Sequence, residues 1–312
     1  MTLDFDGARR LASRALDQHL PQGRDGAWLR QLVDEPRFGW DCEALERGFT
    51  QPLAEWAARH DARLRPVLAA LLMQALGVRA EDHADVCAAL ELHHLAAIML
   101  DDLRNGRDLG SSTTEAVQTP LAVWVTIAYN VRQLVPVLAE RRVTSLAAPQ
   151  RQALVVALSR FLFAQGLGST LDLWWGEHPP PRCDVVELSS HLRLYAGTLS
   201  FGLACHAASI CAAGSEAEQA QWARCGNDLG VALRLGALSR GQLRHLVLKD
   251  TDCMEQRVRF PFQADAAALQ LAGRRLAGAA IDRAHQLAPA GARALAGFGA
   301  CFEPAWFAES AR

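Results

Sequence analysis

The chain predicts an all-α fold, and three observations carry that expectation. Alanine and leucine dominate nearly every segment, which favours helix on propensity. β-Branched runs are short and aromatic residues make up only 7% of the chain, so strand signals are weak. Between breakers, apolar residues recur three and four positions apart, the spacing that sets one face of a helix against a core.

Taken in order, periodicity and breakers place helices near residues 7–19, 42–60, 64–77, 82–104, 113–140, 147–177, 184–213, 216–246 and 264–287, with another in the last twenty residues. Pro36 precedes the second, and the stretch from Gly106 to Ser112 separates the fourth from the fifth. Pro136 would kink the fifth. Pro179-Pro180-Pro181 ends the sixth, Gly214 ends the seventh, and Pro261 falls just before the ninth. The apolar run from Thr198 to Gly214 contains Ser200, His206 and Ser209 and falls short of the roughly 20 clean residues a span requires, so it reads as a buried helix rather than a transmembrane segment.

A chain of 312 residues can hold one large or two ordinary domains. No segment of flexible composition divides it, and it shows neither a repeat nor a low-complexity tract. The expectation is one helical domain over 25–312, preceded by an amino-terminal arm, 1–24, rich in charge and turn residues. Hydrophobic content of 50% is ample for a core.

Composition also narrows the function. Lys+Arg of 32 against Asp+Glu of 34 leaves a formal charge of -2, with no overall draw toward nucleic acid or an anionic membrane. Eight cysteines without CxxC spacing lie mostly in apolar helical pattern, which fits a reduced cytoplasmic compartment. The polar, acidic amino terminus carries no secretory pattern. Gly166-Leu167-Gly168 lacks a preceding strand, and no HExxH or GxSxG occurs, which argues against dinucleotide, zinc and serine-hydrolase chemistry.

One feature points to chemistry. Asp101 and Asp102 end the apolar stretch Glu91–Leu100, and no matching acidic cluster appears downstream. Helical spacing puts Glu91, His94, Ile98 and Asp101 on one stripe. Paired carboxylates suit Mg²⁺, a hard cation usually held by one or two carboxylates plus substrate phosphates, so an anionic diphosphate is the natural guest. The plainer alternative is that Asp101-Asp102 closes a surface helix before an Asn105-Gly106 turn.

The order of motifs resembles that of the trans-isoprenyl diphosphate synthases, or polyprenyl synthetases, of the isoprenoid synthase fold, over about residues 25 to 290. Arg63-Leu64-Arg65-Pro66 is similar to the family's Gly-Lys-Arg-x-Arg-Pro segment. The stretch from Glu91 to Asp102 is similar to the helix bearing its first DDxxD motif, with His94 at the diphosphate-contacting histidine. Gly168-Ser-Thr-Leu-Asp172-Leu resembles Gly-Gln-x-x-Asp-Leu. Tyr195-Ala-Gly-Thr-Leu-Ser-Phe resembles the Lys-Thr-Gly segment, and Gly230-Val-Ala-Leu-Arg234-Leu stands where the second acidic motif should open.

The departures are specific. Ala62 replaces the lysine of the first landmark, Asn105 the third aspartate, and Ala196 the lysine of Lys-Thr-Gly. Arg107-Asp108-Leu109-Gly110 matches Arg-Arg-Gly only in part. Ala237, Leu238 and Gly241 occupy the second acidic motif, so the family's three-metal arrangement cannot form through its usual ligands.

What the resemblance implies is a helical bundle around a central cavity. Mg²⁺ at Asp101 and Asp102 would activate an allylic prenyl diphosphate. Asn105, Arg107 and Asp172 would contact it or its metal-bound water, and Arg63, Arg65 and His94 would bind an anionic acceptor. Arg234 stands where the family has a glutamine and could replace a missing metal through bidentate phosphate contacts. Arg240 and Arg244 read instead as a solvated helix end. Ala96 and Ala97 leave the tail route open, so a tail of C15 or longer is expected, while Trp174 and Trp175 read as core or interface residues. The expected activity is prenyl transfer or cyclisation; the alternative is a non-catalytic subunit that modulates a related synthase. Either way the chain is expected to form a homodimer or heterodimer.

Overall fold

Asp4 accepts the Gly7 amide at 2.6 Å and opens α1 (Phe5–His19), whose Ala8, Leu11, Ala12, Ala15 and Leu16 are buried. This computed structural model describes residues 4–19, 49, 51–59, 63–104, 121–178, 183–194, 196–240 and 264–307. Among them every regular element is helical. The series continues with α2 (Gln51–Arg59), α3 (Leu64–Ala75), a 3₁₀ turn (Ala80–His83), α4 (Ala84–Arg104), α5 (Leu121–Arg142) and α6 (Ala148–Glu177). It ends with α7 (Val185–Leu192), α8 (Ala196–Cys211), α9 (Glu216–Ser239), α10 (Ala266–Leu287), α11 (Pro289–Ala300) and the short α12 (Pro304–Phe307).

Local chemistry explains several starts. Ser215 and Glu218 cap α9 reciprocally, the Glu218 amide donating to Ser215 Oγ and the Ser215 amide to the Glu218 carboxylate. Asp184 and Glu187 repeat the device on α7, and Asp265 accepts the Ala268 amide at 2.7 Å to start α10. Pro289 enters α11 in its first turn, where the missing amide costs nothing.

The expected 184–213 helix is two helices. A Cβ at Gly168 of α6 would stand 2.0 Å from the Leu194 carbonyl oxygen, so the α6 backbone lies directly against the turn that ends α7. That turn tightens, the Leu194 amide bonding to the His191 carbonyl, and the chain restarts at α8. The last helical stretch also begins earlier than expected, with α11 opening at Pro289.

Helix α8 is the hub, packing on α3, α4, α6 and α9, while α9 packs in turn on α10. Close approach of α8 and α9 requires Gly226, where a Cβ would fall 2.3 Å from the Phe201 carbonyl oxygen. One large apolar cluster joins α1, α3, α4, α5, α8 and α11; a smaller one, with Cys183, Leu188, Leu192, Val231, Leu235 and Leu269, seats α7 between α9 and α10. Asp228 of α9 ties that region together by pairing with Arg193, just after α7, and with Arg283 of α10 at 2.8 Å.

Candidate functional site

Arg63 precedes α3 with φ 53°, a left-handed conformation that a side chain rarely adopts. Two contacts hold it there. Its Nη1 donates to Glu91 Oε1 of α4 at 2.9 Å, and its Nη2 donates to the Ala57 carbonyl of α2 at 3.0 Å. Both members of the ion pair are buried, so a charge expected to meet a ligand is balanced by the fold's own carboxylate.

Two residues on, Arg65 turns toward α8. Its Nε donates to Ser200 Oγ at 2.9 Å and its guanidinium lies 4.5 Å from the centre of the Phe201 ring. The cation is fully buried. On α4, His94 is buried beside Glu91 on the expected stripe.

Asp101 and Asp102 lie in the last turn of α4, which runs to Arg104. Their side chains, like all of Asn105 and Arg107, lie outside the described residues. Among the described residues no group of three or more His, Cys, Asp and Glu is placed to hold a metal ion.

Further candidate residues lie on α6 and α9. Asp172 is buried on α6, with its Oδ1 3.6 Å from Nε2 of the equally buried His191 of α7. Trp175, one turn along, stacks on that imidazole at 5.0 Å. His191 was not among the residues the sequence singles out, because it sits in an ordinary apolar pattern and meets Asp172 only through the fold. Arg234 is buried toward the end of α9 between Leu233 and Leu235, and Ala237 is buried one turn later. Arg240 caps the end of α9 and pairs with Glu303, leaving it half-buried rather than on a solvated face. Arg244 lies outside the described residues.

A second polar group sits on the α5 side of α4. Burial of His93 disfavours its protonation, and the charge of Arg132 on α5 opposes it further. Arg132 Nη2 donates to the Leu162 carbonyl of α6, and a Cβ at Gly166 would stand 3.3 Å from the same nitrogen.

Known proteins match this arrangement of helices. Solved neighbours include a geranylgeranyl pyrophosphate synthase at TM-score 0.72 and 16% identity, covering 95% of this chain and 97% of that one. A farnesyl/geranylfarnesyl diphosphate (FPP/GFPP) synthase from Zymomonas mobilis matches at 0.65 and 15% identity over 96% and 99%. A geranyltranstransferase from Thermotoga maritima matches at 0.62 and 14% over 95% and 97%. At such identities the likeness concerns the fold. A comparison with curated protein sequences finds no match. The polyprenyl synthetase family model, however, matches residues 46–235, more than half of the chain, taking in every described helix from α2 to α8 and most of α9. The chain therefore belongs to the polyprenyl synthetase family.

Proposed function

We propose that the protein is a cytoplasmic enzyme of isoprenoid biosynthesis that binds an allylic prenyl diphosphate and transfers its prenyl group to an acceptor or cyclises it. The observation that carries this reading is the Asp101-Asp102 pair closing α4 in a polyprenyl synthetase chain, on a helix that also buries Glu91 and His94. Unless a buried charge has a task, it is a costly choice for a bundle interior.

The donor set suits Mg²⁺ on one side only. Asp101 and Asp102 would hold it with diphosphate oxygens, and bound there it would offset charge on the departing diphosphate. The segment where the second acidic motif belongs offers no ligand, since Ala237 and Leu238 carry no donor atoms. Arg234, buried three residues earlier, supplies a fixed positive charge to bind diphosphate oxygens bidentately.

In this reading Arg65 and His94 bind the acceptor, and Arg63 serves them indirectly. Its ion pair with Glu91 clamps the start of α3 to α4, which fixes the spacing of the helices that bear Arg65 and His94. Asp172 orients a water or the diphosphate, steadied by His191. Ala97, small and only half-buried, leaves room for a tail of C15 or longer.

The test is release of diphosphate from farnesyl or geranylgeranyl diphosphate with Mg²⁺, by the protein alone and by the Asp101→Ala/Asp102→Ala variant. Release that the variant loses supports the enzyme. One observation favours a second reading, a modulating subunit: the second acidic motif is reduced to Ala237 and Leu238. No release alone, combined with altered product length when mixed with an active synthase, would select that alternative.

A further inference from the structure

His93 is the polar residue of α4 that neither the Glu91–His94 stripe nor the motif resemblance uses. It is 2% exposed, and among the described residues neither ring nitrogen has a hydrogen-bond partner. Burial first, and then the charge of Arg132, hold its pKa down to about 3, so the ring is neutral at ordinary pH. A neutral imidazole offers one N–H and one lone pair, and here both go unmet. Native interiors rarely tolerate that without a missing group to meet them.

Arg132 makes the need sharper. It is half-buried, its Nη2 serves the Leu162 carbonyl, and no carboxylate pairs with it among the described residues. Three helices, α4, α5 and α6, thus bring a half-buried cation and an unmet imidazole together.

Position along α4 suggests what fills it. His93, Ala97 and Asp101 stand at i, i+4 and i+8, a single stripe about 12 Å long at 1.5 Å per residue. Of residues 91–99, Ala97 alone is not fully buried, so the stripe is accessible at its midpoint. A ligand anchored at Asp101 and running past Ala97 would end at His93.

We propose that His93 and Arg132 form a subsite for the oxygenated end of an apolar ligand, a hydroxyl above all, at the far end of the path from Asp101 and Asp102. A hydroxyl both donates and accepts, which matches the two ring nitrogens, while Arg132 donates to its remaining lone pair. The inference rests on the diphosphate reading above. The oxygen can be carried by the far terminus of the prenyl diphosphate or by a separate hydroxylated acceptor.

The experiment is calorimetric titration of the full chain with Mg²⁺, using non-ionisable thiolodiphosphate analogues. Farnesyl thiolodiphosphate is compared with its terminally hydroxylated counterpart, and farnesol is titrated in the presence of inorganic diphosphate. The readout is the affinity ratio of the hydroxylated to the plain ligand, expected at about three- to tenfold for one net hydrogen bond. His93→Leu should abolish the ratio and His93→Gln should keep part of it. A ratio seen only with the thiolodiphosphates assigns the oxygen to the donor; a His93-dependent farnesol signal assigns it to an acceptor. A ratio near one together with no His93-dependent farnesol signal, or a ratio that His93→Leu leaves intact, overturns the subsite. Absence of binding by the plain thiolodiphosphate overturns the diphosphate reading itself, and the subsite with it.

Discussion

At Arg63 a single side chain decides how two helices meet. The residue accepts an unfavourable φ of 53° because its guanidinium is anchored both to Glu91 and to the Ala57 carbonyl. Removing one partner strands the other charge in the interior, so Glu91→Ala should cost about 3–5 kcal/mol in a urea titration. Replacing both, as Arg63→Met/Glu91→Leu, should recover most of that loss, because neither charge of the pair is left in the interior. Equal losses in the single and double variants would show that the pair's electrostatics are irrelevant. His93 carries a cost of another kind. Its folded pKa of about 3 lies below the ordinary 6.5, so below pH 6.5 the unfolded chain binds a proton that the native chain refuses. Stability contributed by this group is therefore full above pH 6.5 and falls as pH drops toward 3, by up to about 1.4 kcal/mol per unit. His206, lowered chiefly by burial, adds in the same direction. His93→Leu should therefore gain on the parent chain as pH falls from 7 to 5 in denaturant titrations. A constant difference between them would mean that His93 protonates freely in the fold.

Helix positions are set by contacts with few degrees of freedom, and two glycines show the contrast. At Gly168 an added Cβ meets the Leu194 backbone, which has nowhere to retreat, whereas at Gly278 of α10 it meets nothing within 4 Å. Gly168→Ala should destabilise by about 1–3 kcal/mol through overpacking, and Gly278→Ala should stabilise by up to about 1 kcal/mol through helix propensity. Thermal denaturation of the two variants checks both signs. This comparison also marks where the sequence was legible. Helices α3, α4, α6 and α10 follow their apolar periodicity, because a repeating pattern of three and four is a local property. The break before α8 was not legible, since it depends on α6 pressing against residue 194 from 26 positions away. The same holds for the site. The acidic pair, Arg65 and His94 announce themselves by motif, but the Arg63–Glu91 ion pair, the Asp172–His191 contact and the pairing of Asp228 with Arg193 and Arg283 join residues 19 to 55 positions apart. Charge type is visible in a sequence; which opposite charge it meets is a result of packing.

Among the described residues of the whole molecule, one face has a composition that fits contact better than water. Along α5, Val125 and Tyr129 are exposed, and beside them on α6 Val156, Phe163, Leu167 and Trp174 point outward, Phe163 being 69% accessible. Helices α5 and α6 pack on each other, so these side chains belong to one surface built from neighbouring elements. Helix α6 is also long and apolar enough to cross a membrane by length and composition, with only a third of its most apolar window buried. Interspersed Ser159 and Arg160, both exposed, together with the polar Thr126, Asn130 and Gln133 of α5, give the face the mixed character of a protein interface rather than a lipid-facing one. A contiguous apolar patch on a folded chain marks such a contact, and a stable one removes about 800 Å² from each partner. The occupant proposed is a second copy, seated by isologous packing of α5 and α6 on their equivalents, which would bury Phe163 and Leu167 twice per dimer. Four carboxylates buried in one such interface could not be accommodated, so Phe163→Glu/Leu167→Glu should convert a dimer to a monomer in light scattering while leaving the helical circular-dichroism signal in place. A parent chain that is monomeric at micromolar concentration, or a variant whose mass equals that of a dimeric parent, would refute this pairing.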